Sequence, residues 1–275
     1  MTLEELEQGR VLPIDKPYGW SSFQVVNKLK WQIKRELGVK KFKIGHAGTL
    51  DPLASGMLLV CVGKATKRID ELQAGTKVYT GTIVLGATTP CFDMERSVNE
   101  YAPTSHIDLQ KLEEVRQQFV GEIDQVPPMF SAVRVAGERA YSYARDGKPA
   151  EIAPKKVKVY DFEITAVRNL GNPDLEELFH RYSSSLAEGQ SADEPQQQEQ
   201  QTELYRNPQG HIPEGLPQVD FRIRCGKGTY IRSIARDFGL ALDSVAFLAS
   251  LRREQVGEYT VDRAIAVESG ADAAI

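Results

Sequence analysis

The longest uninterrupted apolar run in the chain is Met57–Val62 (MLLVCV), and it limits the folds that the sequence can adopt. A helix that crosses a bilayer needs about 20 apolar residues, so this run predicts a buried strand of a globular protein. The opening stretch, MTLEELEQGR, is acidic and has no apolar core, so no secretory signal is predicted. The widely spaced Cys61, Cys91 and Cys225 form no C-x-x-C pair, which argues against a zinc site or a disulfide framework. We therefore expect a soluble, cytoplasmic protein.

Strand and helix patterns follow one another along the chain without a regular βαβ alternation. Ser21 or Ser22 is suited to cap a helix that Gly38 ends. Further helices are predicted at Asp108–Phe119 and Thr229–Leu242, and strands at Val11–Ile14, Met57–Val62, Lys77–Leu85, Lys156–Val167 and Val219–Cys225. This mixture predicts an α+β fold with a mixed, largely antiparallel central sheet flanked by helices. Neither a dinucleotide-binding motif nor a P-loop is present.

Charge is distributed unevenly, although the net charge of the whole chain is only −4. Residues 171–218 contain nine acidic and two basic residues and many Ser and Gln, which predicts a mobile acidic insertion between two strands of a hairpin. Lys28–Lys77, by contrast, contains eleven Lys or Arg against four Asp or Glu. Such a basic stretch is able to contact phosphates even in an acidic chain, although a solvated surface is the simpler explanation from charge alone.

The loop before the buried strand holds the polar residues best placed for chemistry. It reads GHAGTLDPLASG over Gly45–Gly56, and its glycines allow close backbone approach. Asp51 has two interpretations: a carboxylate that acts as nucleophile, base or metal ligand, or the N-cap of a helix with Pro52 in its first turn. His46 is likewise either a catalyst or a loop residue that only forms hydrogen bonds. Spacing alone leaves both residues open.

Segment Gly45–Gly56 closely resembles the catalytic motif of the bacterial tRNA pseudouridine-55 synthases, the TruB family. Further motifs occur in the family's order: VLPIDKPYGW (11–20), KVYTG (77–81), QVPPMFSAV (125–133), AYSYARDG (140–147), KGTYIR (227–232) and LRR (251–253). The resemblance covers about Val11–Val261 apart from the acidic insertion. The set of motifs is specific to the family, whereas KGTYIR or LRR alone would not be.

The resemblance implies roles for particular side chains. Asp51 matches the catalytic aspartate, Arg232 the arginine that pairs with it, and Tyr79 the tyrosine that stacks on the target base and is placed for proton transfer. The matching substrate-binding residues are His46, which fills the space left by the extruded base, a second aromatic residue Tyr230, the pocket-lining Leu251, and the basic Lys16 and Lys67. Each has a simpler alternative: a core position for the aromatic residues and the leucine, a surface ion pair for the arginine, and a solvated side chain for the lysines.

These matches imply an isomerase that modifies RNA by converting uridine to pseudouridine at position 55, in the T loop of tRNA. The target base must be flipped out of the loop, and its glycosidic bond is then rearranged with the help of Asp51. The reaction needs neither redox change nor a group donor, so we expect no cofactor and no metal. We expect tRNA as the partner, no membrane partner and, although the sequence does not specify the oligomeric state, a monomer.

Two other functions stay open. One is a non-catalytic tRNA-binding or tRNA-folding protein on the same scaffold, which the joint presence of Asp51, Tyr79 and Arg232 disfavours. The other is a metal-dependent hydrolase that uses Asp51 and His46, for which the sequence offers no convincing third ligand nearby.

Many family members carry a C-terminal RNA-binding module after the LRR motif, and the short stretch after Val261 predicts none here. Residues 1–275 are therefore expected to form a single catalytic domain.

Overall fold

The computed structural model of the protein describes residues 1–131, 133–135, 138–139, 152–170 and 215–267. The described chain forms two compact units, one from residues 1–80 and 251–267 and one from residues within 81–250. Most of the predicted acidic insertion (171–218) and the AYSYARDG motif (140–147) lie outside the described residues. Whether the whole chain acts as a single catalytic domain stays a prediction.

The first unit combines three helices with strands of mixed direction. Its elements are α1 (Leu3–Gln8), β1 (Arg10–Lys16), α2 (Ser22–Leu37), β2 (Ile44–His46), β3 (Ala54–Val62), a 3-10 helix (Gly63–Arg68), α3 (Ile69–Ala74), the start of β4 (Lys77–Leu85), the end of β12 (Ala246–Val256), β13 (Tyr259–Thr260), a 3-10 turn (Val261–Arg263) and β14 (Ile265–Ala266). The strand order is β14–β1–β3–β12–β4, with β2 also paired to β3 and β13 to β12. β1–β14 and β3–β12 are parallel, whereas β1–β3 and β2–β3 are antiparallel.

The strand β3 is buried on both faces, which explains its continuous apolar sequence. Leu58, Val60 and Val62 pack in the core beneath α1, β1 and α2. Met57 and Leu59, on the opposite face, belong to a second core that includes residues of the 3-10 helix, α3 and β12. The strand therefore fixes the loop that precedes it to the two cores, one on each face of the strand.

Helix α2 begins and ends as the sequence predicts. Ser21 is its N-cap, with the reciprocal hydrogen bonds of a capping box to Gln24. Gly38 ends the helix in the left-handed conformation, at φ 65°.

The second unit contains most of the antiparallel strands. Its elements are the end of β4, β5 (Ala87–Thr88), β6 (Glu100–Tyr101), α4 (Leu109–Gln117), β7 (Gly121–Gln125), β8 (Arg134–Val135), β9 (Glu138–Arg139), β10 (Lys155–Leu170), β11 (Leu216–Cys225), α5 (Ile231–Ala241) and the start of β12. The main strand order is β12–β4–β11–β10–β7. The long strands β10 and β11 pair from Leu170–Leu216 onward, so the segment between them does join two paired strands. Residues 216–218, expected in the insertion, belong to β11 because they continue this pairing.

Four phenylalanines form the centre of the second unit. Phe162 of β10 and Phe221 of β11 meet edge to face, and Phe162 also contacts Phe238 of α5 at 5.5 Å between ring centroids. Phe119, just after α4, packs edge to face on Phe162 and Phe238. Helices thus cover strands in both units, and the predicted α+β class with a mixed sheet is confirmed.

All three cysteines are free and buried. Burial raises the pKa of the Cys61 thiol to about 11, so the thiol stays protonated.

None of the helices within the described ranges is long and apolar enough to span a membrane.

Candidate active site

Asp51 lies in a tight turn between β2 and β3. Its carbonyl oxygen accepts a hydrogen bond from the N–H of Ala54 at 3.0 Å, and β3 begins at Ala54. The interpretation of Asp51 as a helix N-cap is therefore wrong, because the turn after Pro52 leads directly into a strand. The preceding residue is fixed to the start of α2: the Ser22 hydroxyl accepts from the N–H of Leu50 at 2.9 Å and donates to its carbonyl at 3.0 Å. The Asp51 backbone is held from both sides.

Lys16, the last residue of β1, is fully buried beside this turn. Its ammonium group donates to the carbonyl oxygens of Pro17 at 2.9 Å, Trp20, and Pro52 at 3.3 Å. Burial lowers the pKa of Lys16 to about 7, and the negative charge of Asp51 acts in the opposite direction and raises it. The alternative of a solvated lysine is wrong: Lys16 is a buried amino group whose pKa is influenced by Asp51 and which donates to the carbonyl of Pro52, the next residue.

A second buried basic side chain, Arg253 of β12, contacts the same loop from the other side. Its guanidinium donates from Nε to the carbonyl of Met57 at 2.7 Å, from Nη2 to Gly48 at 3.0 Å and from Nη1 to Thr49 at 3.4 Å. Only 1% of Arg253 is exposed. Arg253 is not among the residues predicted for the site, although it lies in the LRR motif two positions after Leu251.

His46 is the last residue of β2 and pairs with Val60 of β3. Burial and the positive charge of Arg253 both lower the pKa of His46, so the ring is neutral at neutral pH. Its Nδ1 atom is buried and has no hydrogen-bond partner among the described residues. The described residues also contain no group of three His, Cys, Asp or Glu side chains that could hold a metal ion, so His46 and Asp51 gain no third ligand there.

Tyr79 and Leu251 lie on the two strands that the units share. Tyr79 is a buried residue of β4. Leu251 of β12 is partly exposed and lies opposite Ala54, three residues after Asp51, in the parallel pairing of β3 with β12. The register therefore places Leu251 beside the Asp51 turn.

Lys67 is an exposed residue of the 3-10 helix and lines a cavity of about 360 Å³ in the first unit. Its lining includes the apolar side chains of Leu6 and Phe42. Lys41, Lys43 and Lys64 also line it, against one acidic residue, Glu7. The cavity combines apolar surface with excess positive charge.

Arg232, in the first turn of α5, is a buried residue of the second unit. Its Nε lies 3.4 Å from Oδ2 of Asp93, and both side chains are about 95% buried. The guanidinium also donates to the carbonyls of Phe130 at 2.8 Å and Cys91 at 3.3 Å. The alternative of a surface ion pair is wrong. Asp93 was missed because a single aspartate in a loop carries no local signal of a partner 139 positions away.

Tyr230 is the N-cap residue of α5. Gln125 of β7, itself buried, holds its backbone twice: Gln125 Oε1 accepts from the Tyr230 N–H at 2.8 Å, and Nε2 donates to the Tyr230 carbonyl at 3.1 Å. The start of α5, which carries Tyr230 and Arg232, is thereby fixed to the sheet of the second unit.

The structure thus gathers Lys16, His46, Asp51 and Leu251 around one turn of the first unit and places Tyr230 and Arg232 two positions apart in the second. Asp51 and Arg232 belong to different units. Their pairing, implied by the resemblance, stays a prediction.

Comparison with known proteins identifies the class to which this arrangement belongs. Residues 34–177 match the family model described as "TruB family pseudouridylate synthase (N terminal domain)". A tRNA pseudouridine synthase B of Flavobacterium johnsoniae is 45% identical over 266 residues, which cover 96% of each chain. One from Phocaeicola vulgatus is 41% identical over 96% of this chain and 92% of that protein. The chain belongs to the TruB family of pseudouridylate synthases, and the isomerase class expected from its motifs is confirmed.

A solved structure supports the same fold. A chain in the crystal structure of a Cbf5–Nop10–Gar1 complex superimposes with a TM-score of 0.57 at 25% identity. The match covers 96% of this chain and 54% of that one, so the protein spans about half the length of this structural relative.

Proposed function

We propose that the protein converts uridine to pseudouridine at position 55 in the T loop of tRNA, with Asp51 as the catalytic carboxylate. The observation that carries the proposal is the Asp51 turn, whose backbone is fixed by Ser22, Lys16 and Arg253. A loop backbone held in this way suits a reaction that depends on the position of one reactive group. Membership of the TruB family supports the choice of reaction.

The chemistry requires that the C1′–N1 bond of the uridine breaks, that the uracil rotates and that C5 then bonds to C1′. Asp51 either adds covalently to the sugar or base, or deprotonates the sugar to give a glycal-like intermediate. Tyr79 supplies a face for the flipped base and the proton transfer at its carbon. Arg232 is the ionic partner of Asp51, with its guanidinium oriented by Asp93 and two carbonyls.

The substrate-binding roles follow the same assignment. His46, Tyr230 and Leu251 contact the flipped nucleotide or the space it leaves. Lys67 and the basic segment around it bind tRNA phosphates, whereas Lys16 acts from within the fold. We place the enzyme in the cytoplasm, where its tRNA substrate occurs, and expect it to work as one catalytic domain without a cofactor.

The proposal is tested with unmodified tRNA transcripts, on which pseudouridine is mapped at single-nucleotide resolution. Wild-type protein is expected to modify position 55 alone, without any added cofactor. Asp51→Asn is expected to lose about 10⁴-fold or more in rate, because the side chain keeps its shape but loses its reactive charge. Its tRNA affinity is expected to stay within a few-fold, since no positive charge is removed.

Asp70→Asn, at an exposed position in the first turn of α3, serves as the matched control and is expected to stay active. Substantial product from Asp51→Asn, after deamidation has been excluded, would refute the role of Asp51. Binding without product by the wild-type protein would instead favour a tRNA-binding protein.

A further inference from the structure

Arg253 is not one of the residues to which the family resemblance assigns a role, yet its side chain is among the most deeply buried in the described chain. A buried guanidinium is costly unless all its donors are satisfied. Here the acceptors are three backbone carbonyls, and no carboxylate of the described residues forms an ion pair with it. Replacement of buried charged groups by apolar side chains of similar volume is often neutral or stabilising, so stability alone does not account for the arginine.

The three carbonyls lie on either side of Asp51 in the sequence. Gly48 and Thr49 precede it in the loop, and Met57 follows it in β3. One rigid, planar group therefore fixes the distance between the incoming and outgoing chain around Asp51. A lysine at this position lacks the forked donors that reach three acceptors at once.

The backbone of Arg253 makes a second contact with the chain next to the Asp51 loop. In the parallel pairing of β3 with β12, Arg253 lies opposite Gly56, which has φ +98°. A Cβ atom on Gly56 would come within 2.4 Å of the Arg253 carbonyl oxygen, so the two strands touch at van der Waals distance. The guanidinium therefore extends from backbone that packs closely against β3.

We propose that Arg253 is a positioning residue for the reaction: it sets the place of the Asp51 carboxylate through the backbone of the loop. This inference rests on the proposed function. It predicts that loss of the guanidinium changes the rate of the chemical step and leaves tRNA binding largely unchanged, because the buried Arg253 side chain is not accessible to RNA.

The neighbouring Arg252 provides a matched control. It lies on the opposite face of the same strand, is partly exposed, and pairs with Asp15 at 2.8 Å and Glu254 at 3.6 Å. The test measures kcat and KM for tRNA in Arg253→Lys, Arg253→Met and Arg252→Met, together with circular dichroism to establish folding. Arg253→Met is expected to lower kcat about 100-fold with KM within about 3-fold, the loss typical of a reactive group displaced by about 1 Å.

Arg253→Lys keeps a buried cation and is expected to lose at least about 10-fold in kcat, because it satisfies fewer of the three carbonyls. Arg252→Met is expected to keep its kcat. Guanidinium ion added to Arg253→Met is expected to restore part of the lost rate.

If the Arg253 variants fold and keep the wild-type kcat, the inference is wrong. It is also wrong if kcat falls only in proportion to the fraction of protein that is folded. Failure of both Arg253 variants to fold would assign the residue to stability alone and overturn it as well. A wild-type protein that makes no pseudouridine would refute the proposed function itself and is thus a distinguishable result.

Discussion

The pair Arg232–Asp93 allows a quantitative test of burial, because the second unit also contains an exposed ion pair with the same distance between its charged atoms. The distance from Arg232 Nε to Asp93 Oδ2 is 3.4 Å, with side chains 5% and 4% exposed. The distance from Lys156 Nζ to Asp124 Oδ1 is also 3.4 Å, but these side chains are 72% and 63% exposed. Substitution of each aspartate by asparagine removes one negative charge at almost constant shape.

Asp93→Asn is expected to lower the free energy of unfolding by about 3–5 kcal/mol, because Arg232 loses the carboxylate that neutralises it in a buried environment. Coulomb's law supports this scale: two unit charges 3.4 Å apart at an effective dielectric constant of about 20 attract each other by about 5 kcal/mol. The bond from the Glu95 N–H to Asp93 Oδ1, at 2.9 Å, is retained by the asparagine oxygen and does not contribute to the loss.

Asp124→Asn is expected to cost at most about 1 kcal/mol, because water screens an exposed pair. Urea titration followed by circular dichroism measures both variants at the same pH and salt concentration. Equal losses for the two variants, or a loss below about 1 kcal/mol for Asp93→Asn, would refute the argument that burial makes Arg232 dependent on Asp93.

Two further predictions concern the lysines. Because the pKa of Lys16 is lowered to about 7, the folded state binds fewer protons than the unfolded state above that pH, so the wild-type free energy of unfolding is expected to rise relative to Lys16→Met by roughly 2 kcal/mol between pH 7 and pH 9. Urea titrations at the two pH values measure this difference, and an equal or falling difference contradicts it. Lys64→Gln together with Lys67→Gln, at the cavity, is expected to reduce the salt dependence of tRNA affinity by about one unit of slope per lysine, whereas the exposed Lys156→Gln leaves it unchanged. Filter binding at several salt concentrations decides this, and an unchanged slope for the double variant excludes phosphate contact at the cavity.

Local signals in the sequence predict much of the fold. The bounds of β4 agree with its β-branched and aromatic pattern, Lys77–Leu85, and α2 agrees with its capping serine and terminal glycine. The strand β12 (AFLASLRREQV) was not predicted, because Arg252, Arg253 and Glu254 interrupt any apolar alternation. Arg253 is nevertheless buried, and it is accommodated by carbonyl groups that only the folded chain brings to it.

The candidate site was predicted by motif and not by physical pattern. Spacing around Asp51 favours a helix cap, which the structure excludes because a strand begins at Ala54, whereas the catalytic role of Asp51 stays a prediction. Asp93 and Gln125, which hold Arg232 and Tyr230, lie more than 100 positions from the residues they contact. Contacts of this range depend on tertiary structure, so no local pattern predicts them.

The register of three neighbouring strands explains why the two buried basic side chains reach one turn. Lys16 of β1 and Arg253 of β12 both lie opposite Gly56 of β3, one in the antiparallel pairing and one in the parallel pairing. A slip of one residue in either pairing would turn the corresponding side chain to the opposite face of the sheet, away from its carbonyl acceptors. The buried strand β3 prevents such a slip, because its two faces fill two different cores. The placement of Asp51 is therefore a property of the sheet as a whole, which is why two residues so distant in the sequence act on the loop of five residues between β2 and Pro52.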